Sequence, residues 1–146
     1  MSKARVRWVE GMQFIAEADS GHAIVLDGSP SVGGRDTGPR SMELLLMGLA
    51  GCTAMDVVFI LRRKRQKFTG VEVNVTAERA PTHPKVYTKI HIEYLIYGDV
   101  SDKAARQAIE LSEEKYCSAS AMMKKTAEVT WSYKIIRPDE ENPAQS

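Results

Sequence analysis

Residues 41–67 read SMELLLMGLAGCTAMDVVFILRRKRQK, an apolar stretch with a cysteine at its centre and a basic wall at its end. How this stretch is buried decides the fold. Ser41 suits a helix N-cap, and Glu43 stands near the positive end of the helix dipole, so the sequence predicts a helix to about residue 66. A membrane span needs ~20 apolar residues. Here the uninterrupted run is twelve, Leu44 to Met55, with Glu43 before it and Asp56 after it. Spanning would bury a carboxylate at roughly 3 kcal/mol. The basic end, RRKRQK at 62–67, complements the negative pole of the helix, and no aromatic residues interleave with it to stack bases. Neither membrane nor nucleic acid is expected as a partner. The stretch is instead expected to be a helix buried on nearly all sides, at the centre of a domain or between two subunits. Gly48 and Gly51 weaken a helix interior, which suggests close approach of another backbone or a ligand. Leu45, Gly48, Leu49, Asp56 and Phe59 share the face of Cys52.

Outward from this helix the pattern turns to strands. Val6 and Trp8, then Met12, Phe14 and Ala16, then residues 23–26 alternate between turn signals at Glu10-Gly11 and Asp19-Ser20-Gly21. They predict a three-stranded meander. Residues 28–40 hold four Gly and two Pro and read as a loop. After the helix, GVEVNVTAERA and VYTKIHIEYLIYG alternate around the turn PTHPK, as a long antiparallel hairpin with one wet face does. A second helix opens at Asp102, with Ala105, Ala108, Ile109 and Ser112 on one side, and ends near Tyr116. A short helix begins at Cys117, and residues 129–135 form a last strand. The fold class is α+β, with helices packed on an antiparallel sheet. One domain is expected over residues 1–137, with a flexible tail at 138–146.

The chain has 146 residues, 43% apolar and 27% charged, with a net charge of +1. No global field draws it to polyanions. Two cysteines cannot form a disulfide scaffold, and the N-terminus has no apolar secretory core. Both features point to the cytoplasm, where thiols stay reduced. His22, His83 and His91 have no metal-ligand spacing with either cysteine. GGRDTG lacks the Lys of a phosphate cradle.

A buried Cys is most often a small hydrophobe. Cys117, however, stands where a helix begins, and amide donors there stabilise a thiolate. A redox pair needs an attacking thiolate, oxidised by a peroxide to a sulfenic acid, and a second thiol that condenses with it. Asp56, four residues after Cys52, opposes a thiolate, so an Arg must lie closer, or Asp56 must point elsewhere or be paired. Arg35 and Arg40 are the nearest cations in sequence that precede the helix.

GPRSMELLLMGLAGCTAMDVV, followed some sixty residues later by LSEEKYCSASAMMKK, resembles the OsmC/Ohr superfamily of osmotically induced and organic hydroperoxide resistance proteins, and within it the YhfA-type subgroup. The likeness spans nearly the whole chain, VRWVEGMQF included. It implies an intertwined homodimer with long central helices back to back, and reduction of organic hydroperoxides by thiols. Cys52 would attack and Cys117 resolve, without metal or prosthetic group, with a dithiol such as a lipoyl group as external reductant. The chain departs from the family at two points. The family's Glu, ten residues before the reactive Cys, is replaced by Met42. Glu43 is nine before it, on the far side of a regular helix. The family's hairpin Arg is also missing, leaving Arg35, Arg40 or Arg7 as substitutes. Two further readings stand beside the peroxidase: a redox-sensing or hydrophobic-ligand-binding protein of the same fold, and a structural dimer with two inert thiols.

Overall fold

The computed structural model describes residues 1–138, which divide into two compact units, 1–46 and 47 onward. The predicted tail at 138–146 lies outside the described residues from 139 onward.

In the first unit, β1 (Ala4–Glu10), β2 (Gln13–Ala18) and β3 (Ala23–Leu26) form the expected antiparallel meander. No apolar side chain of this unit is buried; its one buried residue is Asp27, 5% exposed. Asp27 organises the following loop. Its carboxylate accepts from the amides of Gly28 at 2.7 Å and Thr37 at 3.2 Å, and from the Thr37 hydroxyl. The Thr37 hydroxyl bond, ahead of the amide bonds, holds the Asp27 carboxyl below its usual range.

α1 (Ser41–Arg63) begins in this unit and continues into the second. Its cap is Arg40 rather than Ser41. The Arg40 carbonyl accepts from the Leu44 amide at 3.2 Å, and the Glu43 side chain reaches back to the Arg40 amide at 2.8 Å. That is the carboxylate half of a capping box. The helix stops at Arg63, where Arg65 takes a positive φ and Gln66 bonds back to Leu61. Burial along α1 is a single stripe of Leu49, Thr53, Val57, Ile60 and Leu61. Leu45, Met47, Met55 and Phe59 are exposed, so within this chain the helix is not buried all round. Among the described residues, nothing lies within 4 Å of where a side chain at Gly48 or Gly51 would start. By length and composition α1 could cross a membrane. Its polar Thr53 and Asp56, however, are engaged by other parts of the second unit, as described below.

The second unit carries β4 (Lys67–Arg79) and β5 (Tyr87–Asp99) as the expected hairpin. A bulge between Phe68 and Gly70 sets Gly98 at φ 117°, where any Cβ would meet the Lys67 carbonyl at 2.5 Å. β6 (Glu128–Ile136) pairs with β5 in parallel, so the sheet is not wholly antiparallel. The chain between them contains α2 (Asp102–Leu111), a π-helical turn (Ser112–Tyr116) and α3 (Ser118–Met123). A crossover of that length is what parallel pairing requires. Ile90, Ile92, Tyr94 and Ile96 from β5 are buried, as are Leu49, Val57 and Leu61 of α1 and Ala104, Ala105, Ala108 and Ile109 of α2. At about 1.5–3 kcal/mol per large buried side chain, this core is the main stabilising element of the unit. The Ser101 hydroxyl caps α2 by accepting from the Ala104 amide at 3.1 Å.

Candidate functional site

Cys52 occupies the middle of α1, one residue before the buried stripe member Thr53, and is half-buried. Cys117 is reached from the other direction. The π-helical turn after α2 places an extra residue in the helix, a device frequent at functional sites, and both Ser112 and Glu113 within it are buried. The chain then extends at Cys117, whose amide donates to the Ser112 carbonyl at 2.8 Å. The Cys117 sulfur caps α3 by accepting from the Ser120 amide at 3.3 Å.

The two thiols meet. Both are free, and Cys52 is among the groups that favour the protonated form of Cys117. Cys117 is only 3% exposed. Burial, first among the causes, pushes its thiol up to about 12, outweighing the Ser120 amide, with Cys52 and the charge of Glu113 acting in the same direction. The α3 N-terminus therefore does not make Cys117 a thiolate, as its position in the sequence suggested. Desolvation of the charged form outweighs one amide donor. Cys117 is built to remain a thiol beside a more accessible Cys52.

A buried polar chain runs past this pair. Glu113, 4% exposed, accepts from Tyr94 Oη and from Ser120 Oγ, each at 2.7 Å. Lys124 Nζ donates to the Glu113 carbonyl at 2.6 Å and stands 3.7 Å from its carboxylate. Tyr94 Oη is 2.7 Å from Thr53 Oγ1, which is 2.7 Å from Ser112 Oγ, and Ser112 Oγ is 2.8 Å from Asp56 Oδ2. Burial, above all else, raises the Tyr94 phenol and keeps it a neutral donor. Asp56 is thus held by the Ser112 hydroxyl, with no cation in ion-pair contact among the described residues. Its other side lines a cleft of about 620 Å³ with Phe59, Ile60, Arg63, Lys64, Leu111 and Tyr116.

The remaining candidates have other partners. Arg35 pairs with Glu10, whose hydrogen bond raises the guanidinium pKa further. Arg40 bonds Asp36 at 3.1 Å and faces Glu43 at 3.7 Å. Glu43 is occupied by the Arg40 amide in the helix cap. None of these contacts assigns Arg35 or Glu43 to the thiols, and no cation is among the groups that shift Cys117. Glu113, Tyr94, Thr53 and Ser120 did not stand out in the sequence as site residues. One signal did exist: Glu113 follows Ile109 by four residues, the spacing of the buried stripe of α2.

A paired-thiol site set between a long apolar helix and a helix-terminal cysteine, with β-sheet behind, defines a class of small α+β thiol proteins. The chain belongs to the OsmC-like protein family, whose model matches residues 33–132. It is 42% identical over 135 residues to Protein YhfA of Escherichia coli strain K12, across 92% of this chain and 98% of that one. The crystal structure of a hypothetical protein from Aquifex aeolicus VF5 is similar at 32% identity with a TM-score of 0.78, over 92% of this chain and 97% of that one. The organic hydroperoxide resistance protein OsmC from Legionella pneumophila shares the fold, with a TM-score of 0.70 at 16% identity over 92% and 96% of the two chains.

Proposed function

We propose that the protein is a thiol-dependent peroxidase for organic hydroperoxides. The observation that carries this reading is the neighbouring Cys52–Cys117 pair, in which the inner thiol is buried and held protonated. In the proposed cycle Cys52 attacks the terminal peroxide oxygen and becomes a sulfenic acid, releasing an alcohol. Cys117 then attacks the Cys52 sulfur, water leaves, and a disulfide forms. An external dithiol, lipoyl-type among the candidates, reduces the disulfide. No metal or prosthetic group takes part. The hydroperoxide resistance proteins that share the fold support this reading.

A homodimer belongs to the same proposal. Leu45, Met47, Met55 and Phe59 leave an apolar face on α1, and Phe59 is 60% exposed. A second copy would cover it, in a cytoplasmic protein. Sedimentation should give twice the mass of the chain. The decisive assay follows cumene hydroperoxide consumption with dihydrolipoamide. Wild type turns over, Cys52→Ser falls to background, and Cys117→Ser loses dithiol-dependent cycling. Turnover by Cys52→Ser would reject the reading. The engagement of Arg35 by Glu10 and of Arg40 by Asp36 and Glu43 favours a second reading, a redox-sensing or ligand-binding protein. That reading predicts one oxidation per chain without turnover.

A further inference from the structure

The polar chain beside the thiols has more contacts than its hydroxyls have hydrogens. Glu113 Oε1, Tyr94 Oη, Thr53 Oγ1, Ser112 Oγ and Asp56 Oδ2 follow one another at 2.7, 2.7, 2.7 and 2.8 Å. All four spacings are those of O–H···O hydrogen bonds, and each requires one hydrogen between its oxygens. The three hydroxyls supply one hydrogen each. With both carboxylates ionised, one contact would set lone pair against lone pair, at a site where Thr53, Tyr94, Ser112 and Glu113 are all buried. Buried oxygens do not hold such a spacing without a hydrogen.

We infer that Asp56 and Glu113 share one extra proton, that it resides on Asp56, and that Asp56 is the general acid which protonates the departing alkoxide. The residence follows from the partners. Glu113 also accepts from Ser120 Oγ and has the Lys124 ammonium 3.7 Å away, both favouring its anion. Asp56 has no ion pair among the described residues. Arg63 and Lys64 line its cleft, but neither stands within 4 Å of its carboxylate: Arg63 lies over the Phe59 ring and Lys64 Nζ bonds Gln107 Oε1 at 2.6 Å. The hydrogens then run one way at rest: Asp56 to Ser112, Ser112 to Thr53, Thr53 to Tyr94, Tyr94 to Glu113. When Asp56 gives up its proton, the Ser112 hydroxyl turns to donate to it, and the Ser112–Thr53 contact lacks a hydrogen until the proton returns.

The role of Asp56 rests on the peroxidase reading. Residues four apart on a helix are neighbours, with Cβ atoms about 6 Å apart, so Asp56 adjoins Cys52 and also faces the cleft. As Cys52 thiolate attacks, an S–O bond forms and the O–O bond breaks. The alkoxide takes the Asp56 proton and leaves as an alcohol, with Cys52 sulfenic acid and Asp56 carboxylate remaining. When the external dithiol later reduces the disulfide, one of its two protons stays on Cys117 and the other returns to Asp56. A neutral Asp56 also removes the charge that would oppose the Cys52 thiolate.

Infrared spectroscopy of the reduced protein tests the proton, and single-turnover oxidation tests its use. Wild type should show a carboxylic-acid C=O band. The band should vanish in Asp56→Asn. It should also vanish in Thr53→Val, a near-isosteric change that splits the chain so that each carboxylate has its own hydroxyl. A wild-type spectrum without the band, or a band lost in Glu113→Gln but kept in Asp56→Asn, overturns the assignment. In rapid mixing, Asp56→Asn should oxidise Cys52 about 100-fold more slowly than wild type with tert-butyl hydroperoxide, in line with general-acid catalysis. With peracetic acid, whose acetate leaves without a proton, the loss should be a few-fold at most. Equal losses with both oxidants would make Asp56 merely structural. A wild type inert to both would sink the peroxidase reading and the acid's role together, while the infrared band would still decide the shared proton.

Discussion

The first forty-six residues and the remainder of the chain make the same kinds of hydrogen bond in opposite settings. In the first unit the polar contacts sit at or near the surface, apart from those of the buried Asp27 carboxylate. Arg5 pairs with Glu17, Arg35 with Glu10 and Arg40 with Asp36, and no apolar side chain is buried. In the second unit a carboxylate, a phenol and three hydroxyls lie in a core of Ile, Leu and Ala. Water can replace a lost partner in the first setting and cannot in the second, where a donor or acceptor left alone carries its full desolvation cost. Conformation in the first unit is therefore adjustable, while in the second it is tied to the protonation and pairing of a few atoms. The thiol pair lies in the second.

The largest effect should come from apolar truncation in the second unit. Leu49→Ala removes a fully buried side chain of α1 and should cost about 2–5 kcal/mol in denaturant unfolding. No apolar truncation within residues 1–46 should approach that in the monomer. Next, Glu113→Gln takes the charge from a carboxylate that accepts from Tyr94 and Ser120 and faces Lys124. It should cost about 1–3 kcal/mol. The matching change in the first unit, Glu17→Gln, should leave the unfolding midpoint within error, because exposed pairs contribute little. A large loss at Glu17 with none at Glu113 would invert the comparison.

The pH response should separate the units more gently. The Cys117 thiol is raised from an ordinary value near 9 to about 12. The unfolded chain then loses this proton first, so the contribution is intact below about pH 9 and is lost as pH rises toward about 12. The Asp27 carboxyl is lowered instead. Its contribution is present above the unfolded carboxylate pKa and is lost as pH falls through the lowered folded one. Amide exchange followed by NMR should show Gly28 and Thr37 losing protection first in acid, and Cys117 and Ser120 first in alkali.

Much of this organisation was legible in the residues. Alternation located both hairpins, and the run of apolar residues from Leu44 located α1. The side of α2 bearing Ala105, Ala108, Ile109 and Ser112 is the buried one. The two cysteine segments marked the thiols. What the residues hid has physical causes. Alternation is the same in parallel and antiparallel strands, so β6 could be placed but not oriented, although the long helical crossover before it was a usable sign. Ser41 has the chemistry of a cap, but the Glu43 side chain bonds the amide of Arg40, and the helix starts at Ser41, one residue earlier than a Ser41 cap would place it. The helix N-terminus at Cys117 suggested a lowered pKa because burial does not show in a local motif. Glu113 drew no reading within LSEEKY, and the π-helical turn holds it buried.

The central claim is that Cys52 and Cys117 act as one redox unit with a fixed direction. The most direct measurement is mass spectrometry of the reduced protein after one equivalent of cumene hydroperoxide, with unreacted thiols alkylated on quenching. An intrachain Cys52–Cys117 disulfide in wild type, and a sulfenic acid on Cys52 in Cys117→Ser, is the predicted result. Oxidation that begins at Cys117, or a Cys52 that goes on to sulfinic acid while Cys117 remains an untouched thiol, would contradict it.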